Sequence, residues 1–467
     1  MLEMYKASLE EAGCFEKEYP KVFKAAAEVI PGHIPEKMRL LMTATELIVY
    51  AGHLRKPIMW QNSKIPVNTI SFLVGGSGIG KGLSIKSIAN VLKPGNAEID
   101  KHRVAHAKAK AVEDAEADGK GAKDWRKYYS APRSLKSAVS TLPGTMKHLA
   151  KLEEGKLGAG YMYVDEIGSE LVSNKDLSEN IIALAIGYDT GEIPPKLLKD
   201  DANQVEPIFN LPYSALMFGS PANIIYDPLV SKKFKDEFST KLSRRTFFGF
   251  INEDIPKPKF DSIEESRAYD KAERERIEKA AVTLEPWFTS LVAATTHTPL
   301  EVEDEVADIF SDYQNYNEWY AETIPNQYPM TKLHRLHLQW KSLKVAGALA
   351  ILENDDVIRK EHMVEAIRFS EMYAPDMHTF EVELEKEPYE LFADYMQSIS
   401  VNGMANISIH QLRKKGFVKG NGSPKNKMSE LVDLARSYDE ANKYEVSGDY
   451  IHFYEGVVND SDRDELA

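Results

Sequence analysis

The residues best suited to chemistry in this sequence form a glycine-rich run that ends in a lysine. The run has the spacing GxxxxGK and consists of Gly75, Gly76, Ser77, Gly78, Ile79, Gly80 and Lys81. A hydrophobic stretch, TISFLV at 69–74, precedes it, and an amphipathic stretch with helical spacing follows it. Backbone amides of such a loop, the N-terminus of the next helix and the lysine ammonium group all favour a bound phosphate. The pattern predicts a nucleotide-binding loop between a strand and a helix.

The residue after Lys81 departs from the usual pattern. A Ser or Thr hydroxyl at this position binds Mg²⁺ in phosphate loops. Here the residue is Gly82, which we keep among the nucleotide-contacting positions, and the next hydroxyl belongs to Ser84. Three possibilities are open: Ser84 completes the metal shell, water does so, or the site binds nucleotide and hydrolyses it slowly. The departure therefore concerns the rate of hydrolysis more than nucleotide binding.

A pair of acidic residues follows a second hydrophobic stretch about 80 residues further on. The stretch is YMYV at 161–164, and Asp165 and Glu166 come directly after it. Asp165 is the candidate ligand of Mg²⁺, directly or through water, and Glu166 is the candidate base that polarises the attacking water. An apolar run that ends in two acids is common by itself, so this interpretation depends on the glycine-rich run upstream.

Polar residues also follow a third hydrophobic stretch, SALMF at 214–218. The turn after it contains Ser220 and Asn223. A polar side chain at the tip of a strand can reach the terminal phosphate of a nucleotide or the attacking water. Ser220 is the first candidate for this role and Asn223 the alternative.

Two adjacent arginines, Arg244 and Arg245, precede a fourth hydrophobic stretch, TFFGFI at 246–251. They have two interpretations. They form a solvated rim, or one of them stabilises charge in the nucleotide site of a neighbouring subunit, as an arginine supplied in trans does in ring-forming ATPases. Arg244 is the first candidate for the second role and Arg245 the next.

Hydrophobic, strand-like stretches alternate with helical ones around these motifs, which predicts an α/β fold with a parallel sheet. The polar stretch from Glu98 to Trp125 predicts a solvated helix inserted in this region. The aromatic residues Phe310, Tyr313, Tyr316 and Trp319 have helical spacing and predict a packing face. We divide the chain into a helical N-terminal segment (1–60), an α/β core (61–258), a helical region (259–380), three short helices with a β-hairpin (381–457) and an acidic tail (458–467).

Composition and charge narrow the class of protein. The chain has 467 residues, a net charge of −14 and one cysteine, Cys14, which excludes an internal disulfide framework and a cysteine-based zinc site. Its longest apolar runs are much shorter than the roughly 20 residues of a membrane helix. The acidic N-terminus does not resemble a signal peptide. We expect a cytoplasmic protein without a membrane partner, and the acidity argues against coating of nucleic acid by bulk charge.

One segment near the C-terminus is basic in this otherwise acidic chain. No Asp or Glu occurs between Val401 and Ser429. The order of three short helices and a β-hairpin is that of a winged helix, whose third helix can enter a DNA groove. Lys425, Lys427 and Arg436 would then face phosphates. The alternative is a subunit-contact module with a solvated face.

The motifs together resemble a known family. GGSGIGKG, YMYVDE, FGSP, LSRR and the helix LKVAGALAILE followed by VIRKEHMVEAIRFSEMY occur in the order found in phage and prophage replication ATPases. These include the helicase portion of phage primase–helicases and, more distantly, the AAA+ and superfamily-three hexameric helicases and the minichromosome-maintenance proteins. The resemblance covers about residues 40–380. It implies a P-loop NTPase with an AAA+- or RecA-like parallel sheet, a helical lid and a ring of subunits, with a hexamer the expected size.

The resemblance also assigns roles to individual residues. It implies that Lys81 binds the phosphates, Asp165 holds magnesium, Glu166 is the base, Ser220 is the first sensor and Arg244 is the arginine that acts in trans. Lys344 stands where such families place a second-sensor arginine, although lysine lacks the bidentate fork of arginine. Helicases of this kind grip DNA with a hairpin between the second and third motifs, where Lys196 and Lys199 are the candidate pore lysines.

From these observations we expect a ring-forming DNA helicase or translocase, dependent on ATP and Mg²⁺. It would act in DNA replication, with possible replication-protein partners, in the cytoplasm of a bacterial host if it is phage-encoded. The alternative is an ATP-switched DNA-binding or helicase-loader protein that does not unwind DNA, which Gly82 and the overall acidity favour. A third class, a small-molecule phosphotransferase, would need an acceptor pocket for which the sequence gives no indication.

Overall fold

The structure is a computed structural model of the whole chain. The residues it describes are 1–76, 78–120, 122–129, 137–138, 140–195, 207–225, 227–251, 258–415, 417–418 and 423–456. Within these ranges the protein is a mixed α/β structure, with one parallel sheet in the core region and helices before and after it.

The N-terminal region forms three helices and a β-hairpin. Its elements are α1 (Leu2–Glu11), α2 (Lys21–Ala27), α3 (Glu36–His53), β1 (Ile58–Trp60) and β2 (Ser63–Ile65). Pro20 and Pro35 immediately precede α2 and α3 and fix the extended entry into each helix. Helix α3 is buried along nearly its whole length because it lies between the sheet and the C-terminal helices.

Four parallel strands form the central sheet, in the order β4–β5–β3–β6. They are β3 (Ile70–Gly75), β4 (Gly160–Val164), β5 (Tyr213–Gly219) and β6 (Thr246–Ile251). Every residue of β3, β5 and β6 is buried, as expected for strands covered by helices on both faces. The predicted α/β fold with a parallel sheet is confirmed, and the four predicted stretches match the strands to within one residue at each end.

The register of the strands defines two edges of the sheet. Val74 of β3 pairs with Gly219 of β5, and Val164 of β4 pairs with Met217. The C-terminal ends of these strands therefore lie side by side, and we call this the carboxyl edge. At the other end, which we call the amino edge, Ile70 pairs with Thr246 of β6. The six residues of β3 separate the two edges by about 17 Å, at about 3.3 Å per residue.

The helices of the core region connect and cover these strands. They are α4 (Lys81–Ala117), a 3₁₀ helix (Ala122–Lys127), α5 (Leu142–Glu153), α6 (Ile167–Ser173), α7 (Lys175–Thr190), α8 (Pro221–Ile224), α9 (Pro228–Glu237) and a π-helical turn (Phe238–Leu242). The predicted solvated helix is present as the second half of α4, where the residues are largely exposed. Helix α4 runs from the glycine loop through Pro94 into this stretch, where Ile99 and Ala111 are buried and the helix packs against the next long helix, α10 (Ile263–Ala294).

The region after the sheet is almost entirely helical, as predicted. After α10 come α11 (Asp304–Thr323), α12 (Pro329–Leu336), α13 (Leu338–Leu352) and α14 (Lys360–Leu384), with the short parallel strands β7 (Glu301–Val302) and β8 (Val357–Ile358). The aromatic spacing on α11 forms a packing face, because Phe310, Tyr313 and Tyr316 are buried and only Trp319 is exposed. None of the helices in the described ranges combines the length and apolarity needed to cross a bilayer.

The C-terminal unit contains three helices and three strands. They are α15 (Pro388–Ser398), β9 (Met404–Ser408), α16 (Ile409–Lys415), α17 (Pro424–Tyr438), β10 (Lys443–Ser447) and β11 (Tyr450–Tyr454). The predicted helices and the β10–β11 hairpin are present. The sequence interpretation missed β9, which pairs antiparallel with β11 and extends the hairpin to a three-stranded sheet.

The N-terminal helices are not a separate layer. They share one hydrophobic core with α10, α11, α13, α14 and one face of the sheet. Leu41 of α3 lies so close to Gly249 of β6 that a Cβ atom at Gly249 would be 2.6 Å from it. The Tyr50 hydroxyl of α3 donates a 2.6 Å hydrogen bond to the Phe288 carbonyl oxygen of α10. The other face of the sheet packs against α5, α7 and α9, in a core that continues into the C-terminal unit.

Candidate active site

The glycine loop between β3 and α4 has the backbone conformation that its glycines allow. Gly78 and Gly80 have φ angles of +84° and +87°, in the left-handed region that other residues rarely adopt. Gly80 is the N-cap of α4, and a Cβ atom there would lie 2.8 Å from the side chain of Ile34. A Cβ atom at Gly75 would clash with Ile79. Gly76 is described as well, whereas Ser77 lies outside the described residues.

Lys81, the first residue of α4, points its ammonium group back towards the loop. Its Nζ lies 3.3 Å from the Gly75 carbonyl oxygen and 5.8 Å from the centre of the Phe218 ring. Burial lowers the pKa of Lys81, and the nearby carboxylates of Glu166 and Asp165 partly offset this effect. No ion pair with Lys81 occurs in the described part of the chain. The loop therefore holds a cation that is free to meet an anion.

The two acidic residues of the second motif lie at the carboxyl edge, just after β4. Asp165 is exposed, and the Tyr163 hydroxyl donates a hydrogen bond of 3.1 Å to its Oδ1. Glu166 is the N-cap of α6, and its Oε1 accepts a 3.3 Å hydrogen bond from the backbone N–H of Gly168. The same oxygen accepts a second 3.3 Å hydrogen bond from the backbone N–H of Ser220. Asp165 is thus accessible to a ligand, and Glu166 is held in place from two sides.

Ser220 and Asn223 follow β5, the strand between those that carry the glycine loop and the acidic pair. Ser220 is the N-cap of the short helix α8 and is half-buried. Asn223, one turn later, packs against Gly168, where an added Cβ atom would lie 2.8 Å from the Asn223 Cβ. The structure therefore brings the first and the alternative candidate of the third motif to the edge that carries Lys81, Asp165 and Glu166.

The residues at this edge fit a magnesium ion only in part. The Asp165 carboxylate is an oxygen ligand of the kind that Mg²⁺ takes together with phosphate oxygens and water. Ser84 is fully buried, and its Oγ donates a 3.1 Å hydrogen bond to the Gly80 carbonyl oxygen within α4. The space beside Gly82 is open, since a Cβ atom there would have no neighbour within 4 Å. The Ser84 hydroxyl is therefore engaged elsewhere, and Asp165 and water are the fitting ligands.

The two arginines lie at the amino edge, directly before β6. Arg245 is buried and binds Asp189 of α7 with two hydrogen bonds, of 3.0 and 2.5 Å, and the Lys241 carbonyl oxygen with a third of 2.8 Å. Arg244 is half-buried, and its buried Nε has no hydrogen-bond partner. Both line a cavity of about 290 Å³. Arg245 is thus used within the chain, whereas Arg244 keeps unused donor capacity, away from the glycine loop of its own subunit.

The structure does not bring Lys344 to the glycine loop. This residue of α13 is buried at the amino edge, where its Nζ donates to the carbonyl oxygen of Pro66 (2.9 Å), Oδ1 of Asn68 (2.7 Å) and the carbonyl oxygen of Tyr188 (2.8 Å). Burial lowers the pKa of Lys344 to about 7. All three ammonium hydrogens have acceptors here, which leaves none for a phosphate. The position expected of a second sensor is therefore not the position that Lys344 occupies.

The predicted DNA-contacting lysines divide into two groups. Lys196 and Lys199 lie outside the described residues. Lys425 and Lys427 begin α17, where Lys425 forms an exposed ion pair of 2.9 Å with Asp449.

Arg436, the third basic residue named for the C-terminal unit, is used within that unit. It donates two hydrogen bonds, of 3.0 and 2.7 Å, to the Tyr444 carbonyl oxygen and so ties α17 to the hairpin. The guanidinium group also contacts Asp433 at 3.2 Å. Its predicted orientation towards phosphates is therefore not the one found in the structure.

Three residues at the site were not identified from the sequence. The Tyr163 hydroxyl contacts Asp165, the Phe218 ring lies beside Lys81, and Ile34 packs against Gly80. Tyr163 was recognisable in principle, because side chains two residues apart in a strand lie on the same face. The approach of Ile34 is a long-range contact that no local pattern signals. Comparison of the sequence with protein-family models and with curated proteins finds no match.

Proposed function

We propose that this protein binds and hydrolyses ATP in the presence of Mg²⁺, as a P-loop ATPase of AAA+ type, and that it uses the energy to move along DNA as a ring of subunits. The observation that carries the proposal is the meeting of Lys81, Asp165, Glu166 and Ser220 at one edge of a parallel sheet, beside a glycine loop. Ligands of open α/β sheets bind at this edge.

Each residue has a task in phosphoryl transfer to water. The loop amides and Lys81 bind the β- and γ-phosphates, and Asp165 holds the metal, which neutralises phosphate charge when bound. Glu166 orients the attacking water and accepts its proton. The two N–H groups on its Oε1 fix the carboxylate and leave Oε2 for the water.

Ring assembly is supported by Arg244. It lies at the amino edge, the opposite end of the sheet from the glycine loop of its own subunit, and its Nε has no partner. An arginine so placed suits the nucleotide site of an adjacent subunit, where it stabilises the charge that develops in the transition state. In a ring, every subunit would give one arginine and receive another.

Action on DNA is supported by the C-terminal unit and by the resemblance to replication ATPases. The order helix, strand, helix, helix, strand, strand is that of a winged helix. We assign this unit to a winged-helix domain that contacts DNA backbone through the start of α17, with Lys425 and Lys427. Together with the resemblance to replication ATPases, this unit supports a role in DNA replication, with other replication proteins as partners.

A second function, an ATP-controlled switch or helicase loader without unwinding activity, is favoured by the metal site. Gly82 supplies no hydroxyl, and the Ser84 hydroxyl is bound to Gly80. Slow hydrolysis with ATP-dependent assembly would suit such a protein.

The deciding experiment measures ATP hydrolysis by the purified full chain, with and without single-stranded DNA, and its mass in solution with ATP. Lys81→Ala is expected to abolish hydrolysis, whereas Lys86→Ala, an exposed lysine on the same helix, serves as the matched control. A DNA-stimulated rate from a ring-sized particle supports the translocase. Negligible turnover with ATP-dependent assembly supports the switch, and wild-type hydrolysis by Lys81→Ala would refute both.

A further inference from the structure

A furrow with basic walls opens at the amino edge of the sheet, away from the glycine loop. Its volume is about 510 Å³, and it includes Pro66 and Pro212, which precede β3 and β5. Arg55, Lys64, Lys156 and His297 line it, and none of its lining residues in the described part of the chain is a carboxylate. In a chain with a net charge of −14, such a lining is unusual. It suggests a site for an anion.

Arg55, which lines the furrow, forms no direct ion pair within the described residues, and the Glu153 carboxylate acts on it only at longer range. Arg55 follows α3 and is half-buried, and its Nε and Nη2 donate to the carbonyl oxygens of Gly158 and Leu152. The salt bridges of the described residues include none to Arg55. Burying a charge that only neutral groups contact is costly. An anion in the furrow would offset this cost. The hydrogen bonds to the two carbonyl groups fix the orientation of the guanidinium group beside it.

The backbone of the furrow is also strained in a way that favours a functional site. Arg55, Asn210 and His297 have φ angles of +57°, +54° and +57°. These three are among seven non-glycine residues with positive φ in the described ranges, and they come from three separate segments. Such conformations cost free energy and cluster at binding sites, where the surrounding structure enforces them.

Two lysines complete the furrow on its outer side. Lys64 belongs to β2, and Lys156 lies in the turn after α5. Both are exposed, and neither has an ion-pair partner among the residues that the structure describes. Their charges are therefore available to a ligand that enters from solvent.

We propose that this basic furrow binds the backbone phosphates of a nucleic-acid strand. The Arg55 guanidinium and the two exposed lysine ammonium groups donate hydrogen bonds and accept none, so they suit phosphate oxygens, and such contacts read no base sequence. The prolines of the wall give sugars and bases an apolar surface. The choice of nucleic acid over a smaller phosphate compound rests on the proposed function, whereas the anion preference rests on the furrow alone.

The test compares two double variants of the full-length protein. Lys64→Ala with Lys156→Ala removes both outer charges. Lys175→Ala with Lys232→Ala is the matched control, because these exposed lysines line a furrow of equal volume between α7 and α9. Binding of a fluorescent oligothymidine is followed by anisotropy at several salt concentrations. Thermal unfolding verifies that both variants fold.

For the first variant we expect about tenfold weaker binding and a salt slope shallower by about 1.4, since each single-strand phosphate contact contributes about 0.7. The control variant keeps wild-type binding, and ATP hydrolysis without DNA is unchanged in both. Wild-type affinity and slope in the furrow variant would overturn the inference and leave the proposed function standing. Loss of ATP or inorganic phosphate binding with oligothymidine binding intact would assign the furrow to a small phosphate ligand and also overturn it. A wild-type protein that binds no oligothymidine would overturn both this inference and the action on DNA in the proposed function.

Discussion

The backbone N–H of Ser220 donates a 3.3 Å hydrogen bond to the Glu166 carboxylate, so the tip of β5 holds the acid that follows the neighbouring strand β4. The main chain of the turn after β5 therefore fixes the side chain of Glu166, in the acidic pair after β4. A shift of the Ser220 turn would move the Glu166 carboxylate with it, and under the proposed function this would alter hydrolysis.

Glu166→Gln is expected to separate ATP binding from hydrolysis. The amide oxygen can still accept the hydrogen bonds from Gly168 and Ser220, so the local structure is kept. Because glutamine cannot accept a proton from water, kcat should fall by about 10²- to 10⁴-fold. Filter binding of labelled ATP and steady-state hydrolysis measure the two effects. Hydrolysis close to the wild-type rate would remove Glu166 from the role of base.

Gly82→Ser is expected to strengthen the metal site. A side chain fits at this position because a Cβ atom there has no neighbour within 4 Å. The serine hydroxyl would supply the Mg²⁺ ligand that phosphate loops usually have at this place. We expect hydrolysis to become half-saturated at a Mg²⁺ concentration about tenfold lower. Gly82→Ala is the control, since it makes the same backbone change without a hydroxyl. Equal behaviour of the two variants would show that no hydroxyl is missing.

Mixing two inactive variants tests whether Arg244 acts in trans. Lys81→Ala inactivates the glycine loop of its own subunit but keeps Arg244. Arg244→Ala keeps the loop intact but removes the arginine. In an equal mixture, about a quarter of the subunit interfaces join an intact loop to an intact arginine, so activity should return to about that fraction.

The control for this mixture combines Lys81→Ala with Glu166→Gln. Both changes fall in the nucleotide site rather than on the arginine, so every site in a mixed ring carries one of the two defects, whichever neighbour supplies Arg244. This mixture should stay inactive. If the first mixture also stays inactive although rings still form, the assignment of Arg244 is contradicted.

The free energy of unfolding is expected to decrease at acid pH because of His53. This residue is buried, and its Nδ1 accepts a 2.9 Å hydrogen bond from the backbone N–H of Ala159, just before β4. Burial, with repulsion from Arg103 and Arg55, lowers the pKa of His53 to about 3. The unfolded chain binds this proton near pH 6.5 and the folded one does not. The stability that neutral, buried His53 contributes is therefore complete above pH 6.5 and is lost as the pH falls towards 3.

The slope should reach about 1.4 kcal/mol per pH unit in that window for this one group. Urea unfolding at several pH values measures it. His53→Asn offers a carbonyl oxygen where Nδ1 lies and does not titrate. The slope of its unfolding free energy against pH should therefore be smaller by about 1.4 kcal/mol per pH unit, the effect of one proton. His410→Asn, at an exposed position, is the control. Identical slopes for wild type and His53→Asn would exclude His53 as the source.

Lys344→Met should lower stability and leave ATP affinity unchanged. The substitution removes a donor from buried acceptors of Pro66, Asn68 and Tyr188, of which Tyr188 keeps a second donor, Nδ2 of Asn68, and the loss is about 3 kcal/mol. Calorimetric unfolding and ATP titration at a temperature where the variant is folded measure the two quantities. A large loss of ATP affinity with little change in stability would instead support a second-sensor role.

Local patterns predicted the parts of the molecule that local chemistry decides. The four hydrophobic stretches became strands because short, continuous apolar runs suit a parallel sheet that is covered on both faces. Gly80 adopts the left-handed conformation that its place before Lys81 requires. The acidic pair lies beside the glycine loop because parallel strands end at a common edge.

Features that depend on distant contacts were missed or misplaced. The predicted helix after Glu98 is part of the longer helix α4, which continues through Pro94 because its far half packs against α10. Strand β9 is short and partly polar, and it forms only because β11 pairs with it. Lys344 was assigned by its position in a motif, whereas the packing of α13 decides which edge of the sheet it faces.

The core shared by α3 and the sheet has a consequence for how the molecule can be divided. Because Leu41 fits against Gly249, removal of the first 53 residues would strip one face of the sheet and expose its apolar side chains to water. The N-terminal segment is therefore not an exchangeable module. A shortened chain that begins after α3 is expected to aggregate, and a swap of this segment with that of a related protein would succeed only if the sheet face were changed to match it.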